Sequence, residues 1–131
     1  MHAIDVARSP LIVAGPEATV GWAAQLMATH HVDAVVVTEA GRPIGIVTER
    51  DLVVRGLARE MGGNAELASV MTRDPITVDA DADATAAYRL LRERTLHRLP
   101  VVDHGHLVAM LTLDDFAVEP PPELTRLVHE Q

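Results

Sequence analysis

An α+β fold made of two copies of a β-α-β-β-α unit is what this 131-residue sequence predicts. Three observations carry that expectation: an internal repeat, a helix-period apolar face in each copy, and paired apolar runs joined by tight-turn residues. The stretch Gly45-Ile46-Val47-Thr48-Glu49-Arg50-Asp51 recurs, altered, as Ala109-Met110-Leu111-Thr112-Leu113-Asp114-Asp115, 64 positions later. That period exceeds those of the common solenoids, and two copies fill the chain. The same offset aligns Val37, Gly41 and Ile44 with Val101, Gly105 and Val108.

Taken in order, residues 1–61 form the first repeat, 62–69 a linker, 70–119 the second repeat and 120–131 a tail. Asp5 to Pro10 loosely echoes Val70 to Pro75 as a lead-in, and each proline biases the residue before it to extended backbone. Strands are expected at residues 11–14 and 76–78. Val20, Ala23, Ala24 and Met27 then fall on one helical face, with Thr19 as N-cap. Ala84, Ala87, Tyr88 and Leu91 repeat that face behind Asp83. Apolar runs at 34–38 and 99–102 end in Glu39-Ala40-Gly41-Arg42 and Asp103-His104-Gly105-His106, and further strands follow at 43–47 and 107–111, which is hairpin logic. A helix after Thr48 is expected to stop at Gly56. Its counterpart after Thr112 is cut short by Pro120-Pro121-Pro122, and the tail from Glu123 forms a brief helix or frays. Gly62-Gly63-Asn64 marks a loop before a short turn at 66–71.

Composition narrows the function classes. A chain of this length buries roughly two thirds of its unfolded surface, and with aromatics at only 2% the core is expected to be aliphatic, Trp22 and Tyr88 being exceptions. A formal net charge of −8 repels phosphate backbones, so nucleic-acid binding is disfavoured. With no cysteine there is no disulfide and no thiolate site. Neither a secretory leader nor a membrane-length apolar run is present, so the expected setting is soluble and cytoplasmic, without membrane contact.

Several sharper motifs reduce to plain ones. His104-Gly105-His106 lacks a third metal ligand nearby and reads as an exposed turn, while His30-His31 suits the carbonyls of a helix end. Asp79 to Asp83 mimics a calcium loop, but Ala84 and Leu90 stand where that loop needs glycine and glutamate. Arg89 and Arg92 suit a solvated helix face, and Arg98, beside Pro100, is the arginine of that group placed for a cleft. No Gly-x-Ser-x-Gly or phosphate-loop motif occurs, Ser9 and Ser69 lie in lead-in segments, and no catalytic residue is assigned. A hydrolase working through clustered Asp and His would need turnover lost on a single carboxylate change.

Val70 to Val78, His97-Arg98-Leu99-Pro100-Val101-Val102-Asp103 and the strand-to-helix stretch of both copies together carry a family pattern. Both halves resemble CBS (cystathionine-β-synthase-type) domains, and the pair resembles a Bateman module. The resemblance implies two repeats related by a pseudo-twofold axis, sheets packed together with helices outside, two clefts, and a homodimer forming a flat disc. It implies a regulatory ligand containing adenosine: AMP, ADP, ATP or S-adenosylmethionine. No other cofactor and no metal is called for.

The residues suit that chemistry. A helix start at Thr48 offers unpaired N–H groups to an anion, Gly45 permits close approach, and Asp51 would accept ribose hydroxyls as the family pattern implies. The alternative is a plain capping box between Thr48 and Asp51, and one residue can serve both roles. The second copy offers Thr112, Asp115, His97 and Arg98, with adenine held near Thr77 and Val78. The first offers Gly45, Thr48, Arg50 and Asp51, with Asp33-Ala34 in place of His97-Arg98. Asp33 repels phosphate, whereas Arg98 can grip it bidentately. In the second copy Ala109 replaces Gly45 and Asp114 replaces Arg50, so each copy departs from the full pattern. The reading is a regulatory module that signals to a separate, unidentified effector through dimer geometry; the alternative is a dimeric interaction module without a ligand.

Overall fold

The structure, a computed structural model, describes residues 1–118. It is a mixed α+β fold whose described residues divide into two compact units, Leu11–Pro75 and Met1–Pro10 with residues 76–118. The predicted prolines at 120–122 and the C-terminal tail lie outside the described residues.

The first unit runs β1 (Val13–Ala14), α2 (Val20–His30), β2 (Ala34–Glu39), β3 (Arg42–Thr48), α3 (Glu49–Asp51) and β4 (Thr72–Arg73), with sheet order β1-β2-β3-β4. β1 is parallel to β2, and the remaining pairs are antiparallel. The second unit runs α1 (Ala3–Val6), β5 (Val78–Asp79), α4 (Ala84–Glu93), β6 (Leu99–Asp103), β7 (His106–Leu111) and α5 (Leu113–Val118), with sheet order β5-β6-β7.

Both hairpins turn through two residues of positive φ, Ala40 at 52° with Gly41 at 78°, and His104 at 51° with Gly105 at 82°. This backbone twist matches that of the flanking strands, so the turn fixes the register. Asp103 Oδ1 lies 2.9 Å from His104 Nδ1 at the second turn, and His104 is fully in solvent. α2 is capped by Thr19, whose side chain accepts from Trp22 N–H at 3.1 Å, and α4 by Asp83, which accepts from Thr85 N–H at 3.1 Å. Past α2 and α4, Val32 N–H reaches Met27 O and Leu96 N–H reaches Leu91 O, the six-to-one closure of a Schellman turn.

One core gathers Ala23, Met27, Val35, Val37, Val47, Leu67, Val70 and Met71, all buried. The other gathers Ala3, Val6, Ala87, Tyr88, Leu91, Leu99, Leu111 and Phe116. Tyr88 meets Phe116 edge-on, ring centroids 5.1 Å apart, while Arg92 bonds the Tyr88 hydroxyl at 3.1 Å and so is more than a solvated face residue. Trp22 is half exposed, and Ala24, expected on the buried face of α2, points to solvent while Leu26 is half-buried.

Three local expectations are corrected. The strands expected at 11–14 and 76–78 are two-residue pairings at Val13–Ala14 and Val78–Asp79, because Pro10 and Pro75 hold the chain extended before it meets the sheet. Gly56 does not end the helix after Thr48. A π-helical turn, Leu52–Gly56, and a 3-10 turn, Leu57–Arg59, carry it on until Glu60 adopts φ 59°. The lead-in segments also belong elsewhere: residues 1–10, taken with the first repeat from sequence, pack in the second unit, and residues up to Pro75 pack in the first.

Backbone hydrogen bonds give the reason for that last correction. Ala3 N–H donates to Ala82 O, Ile4 N–H to Ala80 O and Ala84 N–H to Met1 O. The first unit repeats the set as Leu67 to Ala18, Ala68 to Pro16 and Val20 to Ala65. Every one of these bonds is displaced by the same 64 positions, one residue off the proline-based echo read from sequence.

β4 joins the first sheet beside Gly45, where an added Cβ would stand 2.5 Å from Met71 Sδ and 3.1 Å from Thr72 O. At the matching positions the second unit has Ala109 and Ala7, so a larger strand residue goes with a smaller neighbour. Gly45→Ala is expected to destabilise the fold by about 1–3 kcal/mol through overpacking. In a Met71→Ala background the same change should cost less than half as much, as a double-mutant cycle in urea would read.

Candidate functional site

The hairpin registers deliver the candidate residues to one end of each sheet. Leu99 lies opposite Leu111, so Arg98 and Thr112 flank the same end of the β6–β7 pair. Val78 lies beside Val101 on the parallel neighbour, placing half-buried Val78 on the strand next to β6 and half-buried Thr77 just before it. His97 is exposed and Arg98 half-buried at the entry to β6. In the first unit Ala34 lies opposite Thr48, and Glu49 N–H donates to Asp33 O at 3.0 Å across the same end. Arg50 is exposed there.

Thr48 and Asp51 form a reciprocal capping box. Asp51 Oδ2 accepts from Thr48 N–H at 2.9 Å and from the Thr48 hydroxyl at 3.1 Å, and Thr48 Oγ1 accepts from Asp51 N–H at 3.2 Å. Asp51 Oδ1 has the Arg55 Nε at 3.7 Å, an ion-pair distance too long for a hydrogen bond. Arg55 itself donates to Met71 O at 3.1 Å.

Thr112 and Asp115 share the backbone part of that geometry and differ in the rest. Asp115 Oδ2 accepts from Thr112 N–H at 2.9 Å. The Ser9 hydroxyl lies 3.1 Å from Asp115 Oδ1, 2.9 Å from Oδ2 and 3.0 Å from Thr112 Oγ1. Arg8 N–H donates to Oδ1 at 3.2 Å. Asp115 is 5% exposed and Asp51 9%, so both carboxylates are buried, but Asp115 has a donor on each oxygen.

The structure thus brings Thr48 together with Asp51, and Thr112 with Asp115. The close approach expected of Gly45 is taken by the chain's own Met71 and Thr72. Sequence reasoning missed Ser9 and Arg8, because their partners lie more than a hundred residues away; the 64-residue register of the lead-ins is the signal that places them. A cavity of about 500 Å³ opens in the first unit against Met27, Ala28, His31, Val32, Asp33 and Glu49. Among the described residues no three His, Cys, Asp or Glu side chains group as metal ligands, and no helix is long and apolar enough to cross a membrane.

Two stretches, residues 3–57 and 67–119, match the CBS domain family model. The chain belongs to the CBS-domain family. An uncharacterized protein of Methanopyrus kandleri, MK0525, is 33% identical over 130 residues, 97% of this chain and 66% of its own. Hypoxic response protein 1 of Mycobacterium tuberculosis is 31% identical over 115 residues, covering 86% of this chain and 80% of that one. The crystal structure of Hypoxic Response Protein I, with two coordinated zinc ions, has TM-score 0.83 at 28% identity, over 92% of this chain and all (100%) of that one. The CBS domain protein PAE2072 from Pyrobaculum aerophilum, complexed with AMP, has TM-score 0.82 at 22% identity and covers 100% of both chains. The CBS domain pair of MJ0100, in complex with 5'-methylthioadenosine and S-adenosyl-L-methionine, has TM-score 0.76 at 22% identity, over 90% of this chain and 94% of that one.

The unequal bonding of the two aspartates has a stability consequence. Asp115→Ala leaves Arg8 N–H, Thr112 N–H and the Ser9 hydroxyl without their acceptor and should cost about 3 kcal/mol, whereas Asp51→Ala removes a cap and should cost about 1 kcal/mol. Urea unfolding of the two variants side by side reads the difference.

Proposed function

We propose that this tandem CBS pair is a non-catalytic regulatory module that binds an adenosine-containing ligand, AMP, ADP, ATP or S-adenosylmethionine, and passes its occupancy to a separate effector protein through the geometry of a homodimer. The observation that carries this reading is the buried aspartate at the strand-to-helix junction of both repeats, set beside a threonine in each. A carboxylate there accepts two hydrogen bonds at once, which is what a ribose diol offers. Complexes of the fold relatives PAE2072 with AMP and MJ0100 with S-adenosylmethionine support the ligand class.

In the second repeat Thr77 and Val78 would lie against the base, Asp115 and Thr112 near the ribose, and His97 and Arg98 at the phosphate. In the first, Thr48, Arg50 and Asp51 are the matching set beside Gly45, and Asp33 with Glu49 at the cavity disfavours a highly charged phosphate there. Micromolar affinity corresponds to about 8 kcal/mol, and one charged hydrogen bond contributes about 1.5–3, so several contacts must act together. The ligand changes the dimer only if it binds one arrangement more tightly than another.

A second reading, a dimeric interaction module whose surface does the work, is favoured by one feature. Trp22 on α2, Val53 and Val54 on the π turn that packs against it, and Leu57 on the 3-10 turn that follows expose 51%, 55%, 44% and 73% of their surface. Light scattering of the Leu57→Asp variant checks whether this face holds a dimer.

Calorimetric titration with AMP, ADP, ATP, S-adenosylmethionine and adenosine tests the leading reading. Saturable binding is expected, with Arg98→Ala weakening AMP about tenfold or more while changing adenosine much less. Equal loss for both would remove the phosphate role of Arg98. No binding of any ligand to the folded protein would leave the interaction module.

A further inference from the structure

We propose that Ser9 is an internal substitute for a ligand hydroxyl at Asp115, so that the second repeat accepts a ligand only when the Arg8–Ser9 segment is displaced, while the first repeat has no such gate. This inference rests on the adenosine-ligand reading above and adds which repeat is open and which residue closes the other.

The geometry is that of an occupied subsite. A ribose diol would approach Asp115 with hydroxyl donors, and the Ser9 hydroxyl already lies 2.9 and 3.1 Å from its two oxygens. Thr112 Oγ1, 3.0 Å from Ser9 Oγ, can donate to it, leaving the Ser9 proton for the carboxylate. Arg8 N–H at 3.2 Å and Thr112 N–H at 2.9 Å complete the set. Three donors, with the Ser9 hydroxyl spanning both oxygens, leave this carboxylate, 5% exposed, fewer open acceptor sites than the two hydroxyls of a diol require.

The first repeat keeps the threonine N–H bond, Thr48 to Asp51 at 2.9 Å, and differs in the lead-in part of this closure. The chain stretch matching residues 8–9 is Thr72–Arg73, and it runs along β3, pairing with Ile46 and Gly45. Asp74 N–H then goes to Ile44 O at 3.2 Å, further from the helix start. Glycine at position 45 permits this course, since Thr72 O lies 3.1 Å from where its Cβ would be. In the second repeat Ala109 carries that Cβ, the lead-in makes a single bridge from Ser9 to Met110, and Arg8 and Ser9 turn their donors onto Asp115. The Gly-to-Ala difference between the copies, which on its face only narrows an approach, thus coincides with a gate.

The α1 contacts at Ala3 and Ile4 lie before the Arg8–Ser9 segment, and Pro10 after it offers no N–H. Releasing residues 8–9 therefore need not unfold α1. A gate of this kind lowers apparent affinity by the fraction of molecules in which it is open.

Calorimetry on the full chain, with AMP, S-adenosylmethionine and adenosine as probes, tests it in wild type, Ser9→Ala and the Ser9→Ala/Asp115→Asn double variant. Removing the hydroxyl should tighten binding at the weaker site about tenfold, or reveal a second equivalent of ligand, and Asp115→Asn should cancel that gain. Unchanged titrations in folded Ser9→Ala overturn the gate while leaving the adenosine reading in place. Hydrogen exchange at the Arg8 amide of the wild type is a readout that requires no substitution: saturating ligand should accelerate it about tenfold or more, and unaltered protection at full occupancy of both repeats overturns the gate. Binding by Ser9→Ala alone, with none in wild type, supports it; no binding in any variant overturns both readings.

Discussion

Hairpin register is the constraint on which both candidate sites depend. Each hairpin closes through two residues of positive φ, and that turn sets Ala34 against Thr48 in one unit and Leu99 against Leu111 in the other. A slip of one residue would exchange the two faces of every strand. With the register fixed, the segment entering the second strand and the threonine that starts the next helix emerge at the same end, and the carboxylate three residues on closes back over the threonine N–H. The recurring pattern of the repeat is therefore a recurring spatial junction, reached through backbone geometry.

The lead-in segments determine how far the two junctions stay alike. Their backbone bonds to the helix-start loops coincide through the 3-10 turn Leu67–Ser69 and the matching helix α1. Beyond that point the paths part beside Gly45 and Ala109. One lead-in becomes a fourth strand, and the other ends on a side chain. A single methyl group at a strand position adjoining the lead-in is a small chemical difference, but interiors are packed tightly enough that it cannot be absorbed silently. Met71 fills the space in one unit where Ala7 stands in the other.

Much of this was legible from residues. The caps at Thr19 and Asp83, the turns at Ala40-Gly41 and His104-Gly105, the two helices and the bonding of Thr48 with Asp51 all rest on neighbours within a few positions, where local chemistry decides. The boundaries that shifted are those set by distant partners. β4 exists because Gly45 leaves room for it, and the helix beyond Thr48 passes Gly56 through a π turn.

The sequence by itself determined the repeat, the β-α-β-β-α order, the family and the pairing of each threonine with its aspartate, since periodicity, turn chemistry and capping are properties of contiguous residues. Only the tertiary structure decided which lead-in serves which repeat, what fills the space at Gly45 and what already satisfies Asp115. Those outcomes join residues 9 and 115, or 45 and 71, across lengths over which composition carries no register. Sheet pairing and the exclusion of unsatisfied polar groups select such partners, and neither acts until the chain has folded.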